Sequence, residues 1–171
     1  MVMENFNEEE QQLVKRPTFL TVLCVLTLIV TSIGGLSTLM SAASGKLPQK
    51  QLEESMVFFT QLENDLRQQG ANWSAENMEK LKEMTIYLNE HHELSTLLNF
   101  ITFSAGIAAV VLMLRRNKKG FHLYIIYSLF SVFGTFLIVP MEMISPFSVI
   151  VNSIVALIFV LMYGRNLHWM K

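Results

Sequence analysis

Glu90, His91, His92 and Glu93 place two carboxylates and two imidazoles in four consecutive positions. Such a set can ligate a divalent cation, or sense pH through histidines that titrate near 6.5. A zinc protease pattern needs a second histidine one helical turn after the first. In His92-Glu93-Leu94-Ser95-Thr96 that position is Thr96, which has no imidazole, so the pattern is absent. Glu142, in the stretch PMEMISP, adds a third carboxylate if the chain brings both stretches to one face. A collar of Glu90, His91, His92, Glu93 and Glu142 is therefore the candidate metal or proton-sensing group. The simpler expectation is a solvated polar ring where a helix leaves a bilayer, with no catalytic residue, no resident metal and no cofactor.

Other chemistry is thin. The sequence has no phosphate-cradling glycine loop, no CxxC pair and no nucleophile elbow, which argues against nucleotide use. A formal net charge of -1 gives no basic field to draw nucleic acid. The single cysteine, Cys24, lies in an apolar run and has no intrachain partner for a disulfide.

The elements that must position these groups follow from where charge is missing. No Asp, Glu, Lys or Arg falls in Pro17 to Met40, Leu94 to Leu114, Phe121 to Met141 or Met143 to Gly164. About 20 helical residues cross a hydrocarbon core of roughly 30 Å, where a helix satisfies its own backbone polar groups. Four transmembrane helices are predicted. The first run is long and follows the acidic stretch MENFNEEEQQ, unlike a cleavable signal, so it is expected to be retained. Within the spans, Asn99, Asn152 and several hydroxyls read as interhelical hydrogen-bond partners, with Asn152 the deepest strong polar group. Small residues four apart, such as Thr31 with Gly35 and Thr102 with Gly106, offer close helix approach within the chain or between protomers.

RRNKKG, with Arg115, Arg116, Lys118 and Lys119, lies between two spans and reads as a tight turn closed by Gly120. Dense cations near span ends stay cytoplasmic, which makes this loop an orientation signal and a possible contact for anionic lipid headgroups. Counting four crossings from it puts Lys15, Arg16, Arg165 and Lys171 on the same side, so eight of the 13 basic residues lie inside. A bacterial cytoplasmic membrane with both termini inside is the expected setting.

The segment between the first two spans then lies outside, with nine acids and five bases. Leu52, Met56, Phe59, Leu62 and Leu66 repeat at helical spacing after Pro48, and Gly70 ends the run. Ser74 can cap a second helix in which Leu81, Met84, Leu88 and His91 recur. With no Gly or Pro between Ala75 and Ala105, that helix is expected to run unbroken into the second span, as a rod of roughly 40 residues. The two make an antiparallel hairpin standing up to about 30 Å off the membrane. Phe58, Phe59 and the tip residue Trp73 are its candidate partner contacts; NWS at Asn72 to Ser74 is a weak glycosylation pattern. Ser145 before Pro146 suits a helix cap.

The expected fold is thus an all-α integral membrane protein: four transmembrane helices in a bundle with an extracytoplasmic antiparallel helical hairpin between the first and second. Its parts are a cytoplasmic tail over 1–16, spans over 17–40, 94–114, 121–141 and 147–164, the hairpin over 41–93, the basic loop over 115–120, an outer turn over 142–146 and a tail over 165–171. The leading functional expectation is a non-enzymatic accessory subunit, scaffold or sensor acting through the hairpin on a membrane-protein partner or a second copy. A small oligomeric transporter or channel comes second, and a metal-binding protein or enzyme at the membrane boundary third.

Overall fold

A computed structural model describes residues 17–170, and the expected tail over 1–16, with Lys15, Arg16 and Lys171, lies outside the described residues. The described chain holds six α-helices and no strand: α1 (Thr18–Ser44), α2 (Gln49–Gln68), α3 (Asn72–Glu90), α4 (His92–Leu114), α5 (Lys119–Phe133) and α6 (Pro146–Gly164). Four stretches are long and apolar enough to cross a membrane: Thr18–Ser44, His92–Leu114, Lys119–Leu137 and Pro146–Trp169. These mark a multi-pass membrane protein.

Local chemistry explains most boundaries. Gly45, at φ 73°, ends α1 four residues beyond the expected limit, with its N–H on the Ser41 carbonyl at 2.9 Å. Gly70, at φ 75°, ends α2; its N–H reaches the Arg67 carbonyl and that of Ala71 the Leu66 carbonyl, the paired bonds of a glycine-terminated helix. Ser145 caps α6, accepting from the Ser148 N–H with Pro146 in the first turn. Ser74 does not cap α3, which begins two residues earlier at Asn72 with no side-chain cap.

The expected rod is interrupted at His91, although no glycine or proline is present. Its N–H and its ring Nδ1 both lie on the Tyr87 carbonyl, at 3.1 and 3.0 Å, and its ring stacks on that of Tyr87. A side chain that competes for a helix carbonyl is a local alternative to the regular ladder, and the backbone turns there at ψ 35°. The third span also departs from expectation: α5 stops at Phe133 and continues as a 3-10 turn over Gly134–Leu137.

The turn between α4 and α5 is closed by Arg116, not by Gly120. Arg116 takes the left-handed conformation at φ 64°, and the Arg116 and Asn117 N–H groups bond the Met113 and Leu112 carbonyls. This is the same terminator as at Gly70, built on a residue that pays for it in backbone strain. Gly120 has a different task. A Cβ there would stand 2.6 Å from the Met113 backbone nitrogen and 2.7 Å from the Ala109 carbonyl oxygen, so only glycine lets α5 start against α4.

α1 packs on α4, α4 on α5 and α5 on α6, while α1 and α6 touch sparsely. The core gathers at the end near the basic loop: Leu20, Leu23, Cys24, Ala109, Val110, Met113, Tyr124, Tyr127, Tyr163, Trp169 and Met170 are buried together. Thr31 meets Gly106 across α1 and α4, so those small residues serve packing inside the chain. Gly120→Ala is expected to lower stability by about 1–3 kcal/mol through overpacking, whereas Gly35→Ala, whose Cβ would meet nothing closer than 3.8 Å, stays near wild type. Thermal unfolding in detergent compares them; equal midpoints would show that the α4–α5 approach is loose.

Candidate functional site

Outside the four spans, α2 and α3 lie against one another. The half-buried apolar side chains of α2 are Leu52, Met56, Phe59, Leu62 and Leu66, the stripe read from the sequence. Charge ties the contact at two points: Arg67 bridges Glu63 at 3.0 Å and Glu79 at 3.3 Å, and Lys82 reaches Glu63 at 3.3 Å. The Arg67 hydrogen bond and the nearby Lys82 hold the Glu63 carboxyl below its ordinary 4.5, against the partial desolvation that would raise it. At the other end, Asn89 takes the Leu47 N–H at 2.8 Å. Only the Glu63–Arg67 spacing of four residues signalled this network in the sequence.

The α2–α3 pair does not stand clear of the spans. Trp73, at the start of α3, meets Phe147 in the first turn of α6 edge-on, with ring centroids 4.9 Å apart. Ser145 donates from Oγ to Asn77 Oδ1, and the 3-10 turn Met141–Met143 packs on α3. The far end of α3 leads directly into α4. This 19-residue helix thus has one end against the start of α6 and the other at the start of α4.

Phe58 and Phe59 diverge. Phe59 is half-buried beside α3, while Phe58 is 61% exposed and has Val57 beside it, also exposed. Trp73 remains 58% exposed even in contact with Phe147. An exposed indole at a span boundary suits the interfacial zone of a bilayer.

The acid and histidine residues do not assemble as a metal collar. Among the described residues no three His, Cys, Asp or Glu side chains are placed to hold a metal ion. Glu90, His91 and Glu93 instead share a groove of about 500 Å³ with Lys46. His92 turns its Nε2 toward the Thr96 hydroxyl at 3.4 Å, and Glu142 sits on the turn beside α3.

In the basic loop, Arg115, Lys118 and Lys119 are exposed, but Arg116 is half-buried, its guanidinium 4.7 Å above the Trp169 ring. This cation–π contact explains why an arginine occupies a left-handed position that glycine would hold without strain. The contact joins the loop to the C-terminal segment, where Asn166, Trp169 and Met170 are buried rather than forming a free tail.

Asn152 and Asn99 do not pack between helices as expected. Both are exposed, and neither side chain forms a hydrogen bond among the described residues. The buried polar contact lies elsewhere: Tyr163 donates to Thr27 at 2.9 Å across α6 and α1. Asn99 instead lines a cleft of about 160 Å³ with Ser95, Thr102, Ser131 and Thr135, under Leu88 of α3. Little in the residue order signals this cleft, because its walls come from helices whose rotation is set by packing. Comparison with protein-family models, curated proteins and solved structures finds no match to this chain.

Two outcomes check these contacts. Glu63→Gln should lower stability by under about 1 kcal/mol at neutral pH, as exposed ion pairs do. Because the folded carboxyl holds its proton less tightly than the unfolded one, its contribution is complete above the ordinary 4.5 and lost as pH falls through the lowered value. The wild type and Glu63→Gln should therefore converge in midpoint under acid; a constant gap down to pH 3 would remove the ion-pair account. Arg116→Ala should destabilise by about 0.5–2 kcal/mol through loss of the indole contact, and Arg116→Gly by less because it relieves strain. Equal thermal midpoints for the two variants would contradict this.

Proposed function

We propose that this chain is a non-enzymatic four-span membrane protein that acts as an accessory subunit, scaffold or sensor through the α2–α3 segment. In this reading the spans form a bundle. The two helices form an antiparallel hairpin on its extracytoplasmic side, laid over the span ends. The basic loop and both termini face the cytoplasm, in a bacterial cytoplasmic membrane. The clustering of cations at Arg115, Arg116, Lys118, Lys119 and Arg165 supports the orientation, since such loops resist translocation.

The observation that carries the reading is the exposed pair Val57 and Phe58 on a helix outside the spans. Their own helix already gives its regular apolar stripe to α3, so these two side chains are surplus to the fold. The neighbouring exposed positions Glu53, Glu54, Gln61 and Asp65 are polar, which makes the pair a small apolar centre with a polar rim, as protein contact patches are. A transporter or channel formed by several copies is the second reading, favoured by the amide and hydroxyl lining of the cleft between α4 and α5.

Orientation is read by single cysteines at Asn64 and Asn117 in a Cys24→Ser background, labelled in whole cells with an impermeant reagent. Labelling at position 64 alone is expected; labelling at 117 alone inverts the topology. For the contact, a photoreactive side chain at Phe58 should cross-link one protein species in native membranes. Val57→Ser, introduced into the same chain, should cut that yield by at least about 5-fold, in line with 1–2 kcal/mol for a residue central to an interface. A cross-link spread over many species, or none but lipid, would end the hairpin reading.

A further inference from the structure

Two adjoining grooves lie where α1 ends and α4 begins, at the end of α4 away from the basic loop. The groove that holds Lys46, Glu90, His91 and Glu93 has Leu94 and Leu97 as its apolar wall. A second, of about 550 Å³, shares Lys46, Glu93 and Leu97 with it and continues along the seam between α1 and α4. Its lining changes with depth. At the helix ends it has Lys46, His92 and Glu93, then Ala42 and Thr96, and deeper still Leu39, Leu97 and Phe100. From His92 to Phe100 this seam runs roughly 12 Å along α4, at 1.5 Å per residue.

The rim carries both signs of charge and leaves them unspent. Among the described residues no ion pair reaches Lys46, Glu90 or Glu93, although three such contacts involve α2 and α3. His91 sets its Nδ1 on the Tyr87 carbonyl, so that nitrogen donates and Nε2 is left to accept. The deep part is open to the side, because Leu39, Leu97 and Phe100 are exposed on helices long and apolar enough to cross a membrane. A polar solute would lose hydrogen bonds against those three side chains, whereas an acyl chain lies there without desolvating anything. The occupant that fits is amphipathic. Charge then selects among lipids: one ammonium and two carboxylates repel a headgroup that brings only a phosphate, and suit one that adds an ammonium. A primary ammonium has three N–H donors for Glu90, Glu93 and His91 Nε2, and a quaternary one has none.

We infer that the α1–α4 seam binds a phospholipid whose headgroup carries a primary ammonium, such as phosphatidylethanolamine. Glu90 and Glu93 take the ammonium, Lys46 and the Thr96 hydroxyl take the phosphate, and one acyl chain lies on Leu39, Leu97 and Phe100. The basic loop at the other end of α4 presents four cations and no carboxylate, so the two ends of this span suit different headgroups.

The test uses full-length protein in phosphatidylcholine vesicles with a trace of phosphatidylethanolamine that carries a diazirine high on one acyl chain. Both leaflets contain the probe, so the direction of insertion does not matter. After illumination, peptide mapping should find residues 38–46 and 92–100 labelled at least about 5-fold above 150–158, an exposed stretch of α6 with no ionised group. The same diazirine on phosphatidylcholine should show no such excess. Unlabelled phosphatidylethanolamine should abolish the excess, and unlabelled phosphatidylglycerol should leave it. Glu90→Gln combined with Glu93→Gln should bring the seam down to the α6 level with 150–158 unchanged, which shows that the variant still inserts. Even labelling of seam and α6 in the wild type would overturn the site. An equal excess with the phosphatidylcholine probe, or equal competition by phosphatidylglycerol, would overturn the ammonium class, and full labelling of the double variant would overturn the part given to the carboxylates.

Discussion

Hydrocarbon tolerates neither an unpaired peptide group nor an ionised side chain, and the rest of this structure is an answer to that constraint. It forces each apolar run into a helix that satisfies its own backbone. It also moves the Asp, Glu, Lys and Arg residues to span ends, into α2 and α3, or into the basic loop. Once charge has been moved there, charge does the connecting work outside. Glu63, Arg67, Glu79 and Lys82 join α2 to α3, and Arg116 on Trp169 joins the loop to the C-terminal segment.

Within the spans the hydrophobic effect offers nothing, so close contact has to come from shape and from buried hydrogen bonds. Gly106 under Thr31, Gly120 against the α4 backbone, and Tyr163 on Thr27 all lie toward the basic-loop end. They make that end dense. Farther along the same helices Asn99, Ser131 and Asn152 are exposed.

α3 makes two sets of contacts. Lys82 reaches α2 and Asn89 the segment just before it, while Trp73 and Asn77 meet Phe147 of α6 and the Ser145 cap before it. The interruption at His91 separates this helix from α4, which follows directly.

The sequence by itself determined the number of spans, the helices outside them and most of their ends. Those depend on local composition, on glycine and proline chemistry and on the 3.6-residue period. Leu52, Met56, Phe59, Leu62 and Leu66 were legible as one stripe, and Ser145 as a cap, for that reason. The tertiary structure decided what period and composition leave open: which way each span is rotated and which side chains from distant helices meet. His91 looked like a position inside a helix until its ring competed for the Tyr87 carbonyl. Asn152 looked buried because it is central in its run, yet depth along a helix says nothing about the direction a face points. The acid and histidine collar failed for the same reason, since Glu142 and Glu93 share an end of the molecule but not a site. Rotation and juxtaposition are set by long-range packing at glycines and aromatics, and no window of sequence contains both partners of such a contact.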